Sequence, residues 1–244
     1  MDATTERLGT AAIVALGVVV AGALVGRGAT RFRQADKFVN VKGVSEREVK
    51  ADLALWPIQF SSADNDLALA HGRLERNTAR IRAFLAGQGI DTAATQLQTL
   101  RVMDRDANPY RGPGEGGVRF IISQTLMVRS TDPDRVFAAS QRVGDLVQAG
   151  VALSSGPEFG PGGPTFLFTK LNDIKPAMIA EATGRAREAA EQFARDAGTR
   201  LGSIRQASQG VFVILPRDQA PGVDEGGQLY KTVRVVTTVE YYLR

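Results

Sequence analysis

Hydrophobic positions recur with two different periods along this chain, and the changes of period predict the order of its helices and strands. Leu67, Leu74 and Ile81 share one face of a helix predicted over residues 64–87, and glycines follow it. Two more helical patterns cover 132–150 and 172–201. Alternating or continuous apolar runs predict strands, with Pro57 marking an edge or a bulge. These strands are 38–44, 49–61, 95–104, 118–130, 165–171, 204–215 and 229–243.

The order of the predicted elements repeats itself. Residues 49–130 read as strand, helix, strand, strand, and residues 165–243 follow the same βαββ order. The loops between the paired strands also begin alike, with Arg-Asp at residues 105–106 and 217–218. We therefore predict an α+β fold with mixed, mainly antiparallel sheets packed by helices, in two βαββ-like halves joined by a helix.

An uncharged, largely apolar segment lies near the start of the chain, between Arg7 and Arg27. As a helix these 19 residues would span roughly 28 Å, close to the thickness of a bilayer core. We predict one N-terminal transmembrane helix, with residues 1–37 as anchor and juxtamembrane linker and 38–244 as the folded domain. A signal peptide cleaved after Ala23, or a buried helix, would also fit the segment.

Basic residues that follow this predicted anchor bear on its orientation in the membrane. Arg27, Arg31, Arg33 and Lys37 follow the span, and such residues tend to remain in the cytoplasm. The same basic cluster would also suit a surface of anionic lipid headgroups. On the flanking charges alone, the folded domain would be cytoplasmic.

Composition removes several classes of function. The 30 basic and 26 acidic residues give a formal charge of +4, which the cluster after the apolar segment roughly accounts for. The remainder carries no basic run interleaved with aromatic residues, so we predict no nucleic-acid binding. Without cysteine, the chain has no disulfides, thiolate chemistry or cysteine metal ligands.

The search for reactive groups gives no catalytic, cofactor-binding or metal site. His71 is the only histidine, and the glycine clusters at 112–117 and 160–163 lack the Lys-Ser/Thr of a phosphate loop. One acidic series has the spacing of a calcium loop, but a proline stands where that loop needs glycine. We interpret it as a hairpin loop and keep calcium binding as the alternative. The series is Asp104, Asp106, Asn108 and Glu115, with Pro109 in the glycine position.

The long helix carries one face of small residues and one of charges. The small face is predicted to lie against a sheet and consists of Met178, Ala182, Ala186, Ala189, Phe193, Ala197 and Leu201. The charged face has pairs four residues apart, which either form a solvated surface or meet another subunit. These pairs are Glu181/Arg185, Arg187/Glu191, Glu191/Arg195 and Asp196/Arg200.

Four segments of the chain resemble the SIMPL-domain family of bacterial envelope proteins. They are the block from Val41 to Asp52, the block from Lys170 to Pro176, the Ala-rich helix 177–200 with Leu201-Gly202, and the closing run 231–239. The resemblance extends from Val39 to Leu243. It implies an α+β fold, a periplasmic or envelope location, ring- or channel-like homo-oligomers in some members and a link to oxidative-stress defence in others.

The resemblance and the missing reactive set together predict a function. We expect a non-enzymatic protein of the inner membrane, with its folded domain in the periplasm and no cofactor. Its partners would be membrane lipids, through the N-terminal helix, and further copies of itself in a scaffold or ring with a role in stress defence. The alternative is a binding module for a small apolar or envelope-derived ligand, with its mouth at the three Gly/Pro-rich loops. The aromatic residues of that mouth would be Tyr110, Phe159, Phe166 and Tyr230.

Overall fold

The computed structural model describes residues 16–17, 19–23, 37–107, 117–154 and 162–244. The described part of 37–244 forms nine strands, four α-helices and two short 3-10 helices, which confirms the α+β fold. The strands are β1 Phe38–Lys50, β2 Leu53–Asp64, β3 Thr95–Asp104, β4 Phe120–Ser130, β5 Ala152–Leu153, β6 Thr165–Leu167, β7 Leu201–Gln209, β8 Val213–Pro216 and β9 Tyr230–Leu243. The helices are α1 Leu67–Gly87, α2 Pro133–Ser140, α3 Gly144–Gln148 and α4 Leu171–Asp196.

Most of the predicted membrane anchor falls outside the described residues. Of the uncharged segment between Arg7 and Arg27, only residues 16–17 and 19–23 are described, and they are helical. Among the residues that the structure describes, no helix is both long enough and apolar enough to cross a membrane. The anchor therefore stays a prediction from the sequence.

The chain divides into two compact units. The first contains the described residues up to Ser45, together with 176–212 and 235–244. The second contains residues 46–175 and 213–234. The boundaries fall inside β1, α4 and β9, so each unit is built from several separate segments of the chain. The two halves of the predicted βαββ repeat, 49–130 and 165–243, do not coincide with these units, and their superposition stays a prediction.

A five-stranded antiparallel sheet forms the frame of the second unit. Its order is β3-β4-β2-β5, and β6 pairs with β2 beside β5. Alternate residues of β2 point into the core, because successive side chains of a strand face opposite sides. The inward residues of β2 are Ala54, Trp56, Ile58 and Phe60, all at most 3% exposed. The outer positions between them are polar or half-buried, as expected for a sheet covered on one face.

Pro57 lies in this central strand, where its lack of an N–H would normally be unfavourable. One side of β2 pairs with β4 along its length, including Pro57 opposite Met127. The other side pairs with β6 only at 53–55 and with β5 only at 60–61. Pro57 thus sits in the gap between two short partners, where β2 is locally an edge, in agreement with the prediction.

Helix α1 covers the inner face of the five-stranded sheet. It begins after Asp66, whose carboxylate accepts hydrogen bonds from the N–H groups of Ala68 and Leu69. Leu74, Ile81 and Leu85 are at most 2% exposed and join the core of β2 and β4. This agrees with the apolar stripe that predicted the helix, except that its first residue, Leu67, is 44% exposed. The opposite face of α1 is left for solvent or a partner.

In the first unit, β1 and β7 flank β9 in a sheet, and α4 packs with them. The buried residues of α4 are Met178, Ala182, Ala186, Ala190 and Ala194. The predicted stripe is correct as far as Ala186 and wrong beyond it, because Ala189 and Phe193 are exposed. Contact follows one row of residues spaced by four, and such a row is inclined to the helix axis. The predicted stripe instead ran parallel to the helix axis.

Several other boundaries differ from the prediction. The helix expected to reach Leu201 ends at Asp196, and the strand expected over 165–171 ends at Leu167. The helix expected over 132–150 is two helices, α2 and α3, separated by residues 141–143. The strand expected over 204–215 is interrupted at 210–212. The strand expected to end at Val44 continues to Lys50, because its charged residues find cross-strand partners, such as Glu46 with Arg234 at 3.2 Å.

Candidate functional site

The segment that carries the family resemblance in β1 is a packing site for α4. A Cβ atom added at Gly43 would lie 2.5 Å from the backbone nitrogen of Ala186 and closer still to the carbonyl oxygen of Ala182. Only glycine lets the helix backbone come this near to the strand. The small residues of α4 and the glycine of β1 therefore form one close contact within the first unit.

Polar groups fix the register of the same contact. The hydroxyl of Ser45 is fully buried and donates to the carboxylate of Glu181 at 2.8 Å. Arg185, one turn further along α4, donates to the carbonyl oxygen of Val44 at 2.9 Å and pairs with Glu181. The residues that carry the resemblance here therefore hold α4 against β1.

Asp52 has a comparable structural role in the second unit. Its carboxylate accepts hydrogen bonds from the backbone N–H and the hydroxyl of Thr169, both at 2.6 Å. Partial burial of Asp52 raises its pKa, but the hydrogen bonds from Thr169 outweigh burial, and the pKa lies below its ordinary value. Two blocks carry much of the resemblance, 41–52 and 170–176. They meet at this contact, because Asp52 ends the first block and Thr169 directly precedes the second.

A groove between α1 and β3 is a concave surface of the second unit. It consists of two adjoining hollows of about 730 and 550 Å³, which share His71 and Leu100. The first hollow is mainly apolar and is lined by Leu67, Ala68, Leu100, Val102, Phe120 and Ile122, with Asn65 and Asp66 at its rim. The second is more polar and is lined by Leu74, Glu75, Thr78, Ala79, Arg82, Leu97 and Gln124. Volumes of this size are typical of sites for small organic ligands.

The strand wall of this groove is unusual for a soluble surface. Leu97, Leu100 and Val102 are between 45% and 54% exposed. β3 is an edge strand, and its pairing with β4 shifts register between Gln98 and Arg101. At the shift Thr99 has φ +42°, a strained conformation for a β-branched residue. The bulge turns Leu100 toward the groove, next to Val102 on the helix-facing side.

His71, the only histidine, lies at the junction of the two hollows. Its Nδ1 is 3.9 Å from the carboxylate of Glu75, one turn along α1, and its side chain is half exposed. Within the described ranges, no three acidic or histidine side chains come close enough to hold a metal ion. Because it is half exposed and lines both hollows, the imidazole can hydrogen-bond to a molecule in the groove.

The acidic series with calcium-loop spacing is partly described. Arg119 donates to both carboxylate oxygens of Asp104, at 2.9 and 3.1 Å, and lies 3.4 Å from Asp106. The hydrogen bonds from Arg119 hold the pKa of Asp104 below its ordinary value. A calcium ion would have to displace this guanidinium to reach both carboxylates. Asn108, Pro109 and Glu115 lie outside the described residues.

The aromatic mouth expected at the three loops is not what the described part shows. Phe166 is 1% exposed and packs against Phe137 with ring centroids 6.2 Å apart, so it cannot line an open mouth. Tyr230 is partly exposed, with the cations of Lys50 and Arg217 at 5.8 and 5.1 Å from its ring. Tyr110, Phe159 and most of the two glycine clusters lie outside the described residues. Among the described residues, a concave surface lies at α1 and β3.

The sequence contained a signal for the groove that the periodicity argument missed. In β3 apolar residues occur at 97, 100, 102 and 103, a spacing that fits neither a strand covered on one face nor a helix. A bulged edge strand accounts for it, because the inserted residue changes which side chains face the helix. The pairing partner needed to recognise the bulge, β4, lies some twenty residues away in the chain.

Comparison with protein families found a match that extends over the folded domain. A family model described as SIMPL, Protein of unknown function (DUF541), matches residues 39–241. A comparison with curated proteins found no match. The matched range covers both compact units, the β1–α4 contact and the groove.

Proposed function

The chain belongs to the SIMPL family, and on this premise we propose that it is a non-enzymatic, membrane-tethered envelope protein that assembles with copies of itself into a ring or scaffold. We propose that it acts in stress defence, a role that the family resemblance implies for some members. The tether is the uncharged segment between Arg7 and Arg27, and the folded domain lies on the periplasmic side of the inner membrane.

The tether and its orientation are tested by a fusion after the last residue of the chain. An alkaline phosphatase fused there folds and is active only outside the cytoplasm. We expect an active fusion that stays with the membrane fraction after carbonate washing. An inactive fusion would reverse the orientation, and a soluble, shortened product would favour cleavage after Ala23.

Self-assembly is supported by two strands of the first unit, each with one edge that pairs with no other described strand. In the described strands β1 pairs only with β9, and β7 pairs only with β9 on the other side. Residues 203–209 of β7 are all exposed. Two different free edges on one subunit favour a head-to-tail contact, in which the edge of one copy meets the other edge of the next. Repeated contacts of this kind close into a ring or extend as a filament.

The hydrogen bonds of β7 show where this contact can be blocked. Gly210 donates to the carbonyl oxygen of Val236 at 2.8 Å, and Gln206 and Ser208 pair with Glu240 and Thr238 in the same register. Because strand backbones alternate, the N–H of Ala207 points away from β9, toward the open edge.

Proline at this position removes that outward N–H and leaves the pairing with β9 intact. We expect A207P to lower the particle mass measured by light scattering, whereas A207V, which keeps the N–H, retains it. An unchanged mass for a folded A207P would exclude this edge as the contact.

The groove between α1 and β3 supports a second function, the binding of a small apolar ligand. Its mainly apolar hollow exposes Leu67, Leu100 and Val102 to solvent, at 44% to 54%, which costs free energy unless something covers them. Native mass spectrometry of protein released gently from its source membrane tests this. A retained molecule of defined mass, lost in L100Q, is the expected result, and an empty protein in both would contradict it.

A further inference from the structure

Taking the ligand-binding role proposed for the groove as its basis, we propose that the groove between α1 and β3 binds a single-chain anionic amphiphile, a long-chain carboxylate. Its acyl chain lies in the hollow formed by Leu67, Leu100 and Val102, and its carboxylate pairs with Arg82. The second unit contributes every residue of this site.

The two hollows differ in chemistry along the axis of α1. The hollow at the start of the helix is walled by apolar side chains, and Asp66 at its rim is engaged in capping the helix. The hollow further along α1 contains Arg82, Glu75 and Gln124. Leu67 and Arg82 are fifteen residues apart, which is about 22 Å along a helix. A ligand that fills both hollows must be elongated, apolar at one end and polar at the other.

The charge of the polar end selects an anion. Of the four arginines of α1, only Arg82 lines the groove, in the same hollow as Glu75. Arg73 pairs with Asp64, and Glu75 lies by His71. Within the described part of the chain, no carboxylate pairs with Arg82. Its guanidinium can therefore bind a carboxylate from outside, in the hollow with the more polar lining.

The shape of β3 favours a small molecule over a strand from another protein. Strand addition needs a regular edge with evenly spaced backbone groups. The register shift between Gln98 and Arg101, with Thr99 at φ +42°, interrupts that spacing in the middle of the edge. An acyl chain needs no backbone partners, and the bulge provides it with Leu100.

Photocrosslinking of the full-length protein tests the site and the headgroup separately. The probes are a hexadecanoate and a hexadecanol that carry the same diazirine at the same carbon, and mass spectrometry identifies the labelled peptides. We expect the carboxylate to label residues 67–79 and 97–104, and the neutral alcohol to label them more weakly. R82Q should reduce labelling by the carboxylate about threefold or more, and labelling by the alcohol not at all.

R76Q is the matched control, because Arg76 lies on the same helix, forms no ion pair with a described residue and does not line the groove. Equal labelling of the groove by both probes, unaffected by R82Q, would overturn the anionic ligand and leave the apolar binding role standing. Labelling outside the groove would overturn both. A groove that stays unlabelled in an assembled particle but becomes labelled in the A207P variant would identify a second copy as its occupant and overturn the proposal.

Discussion

Replacing Gly43 with alanine probes the closest contact of the first unit. The added methyl group would lie 2.5 Å from the backbone nitrogen of Ala186, whereas carbon and nitrogen atoms in ordinary contact are at least 3.4 Å apart. The carbonyl oxygen of Ala182 would be nearer still, so helix α4 would have to move by more than about 1 Å, because a backbone atom cannot rotate away as a side chain can. Overpacking of a core costs about 1–3 kcal/mol when side chains can adjust, so we expect about 3 kcal/mol here.

Thermal unfolding followed by circular dichroism measures this cost. In a chain of this size about 3 kcal/mol corresponds to a fall in Tm of roughly 6–12 °C. G184A is the matched control, because Gly184 lies in the same helix and a Cβ there meets no heavy atom within 4 Å. It should leave Tm unchanged or raise it, since alanine favours a helix by about 0.5–1 kcal/mol over glycine. A G43A protein within about 2 °C of the wild type would refute the close seating of α4 on β1.

Three further changes test other interactions. Lys231 is fully buried and pairs with the carboxylate of Glu225. E225A leaves this buried charge without its partner and should destabilise by about 3 kcal/mol in urea unfolding, whereas K231M removes the charge itself and should destabilise by less. A larger loss of stability in K231M than in E225A would contradict this. The pKa of Asp52 is depressed in the folded state, so its carboxylate stabilises the fold fully above about pH 4, and this stabilisation is lost as pH falls through the folded pKa. The Tm of D52N should therefore fall less than that of the wild type between about pH 6 and pH 3. Loss of the helix cap in D66A should cost about 1 kcal/mol and be largely restored in D66N, and equal stability of all three proteins would argue against the cap.

Most elements could be predicted because their local pattern was strong. The bounds of β3 agree at both ends, and the predicted start of α1 differs by three residues from Leu67. The extension of β1 beyond Val44 covers a mainly charged segment without an apolar run. Glu46 is neutralised by Arg234 from β9, nearly two hundred residues along the chain, and no local pattern reports such a pair.

The groove was not predicted for a related reason. Its walls come from α1 and β3, and its depth depends on the bulge at Thr99, which exists only relative to β4. The aromatic residues that sequence reasoning preferred include Phe166, which is a core residue beside Phe137. A loop position alone does not tell whether an aromatic side chain faces solvent or the interior.

The mass of the full-length particle tests the central claim most directly. Light scattering on the protein in detergent, with the detergent contribution measured separately, gives the protein mass alone. The account predicts a single species at a multiple of 26.1 kDa that persists on dilution. A species of 26.1 kDa at high concentration would contradict self-assembly through the open edges of the first unit.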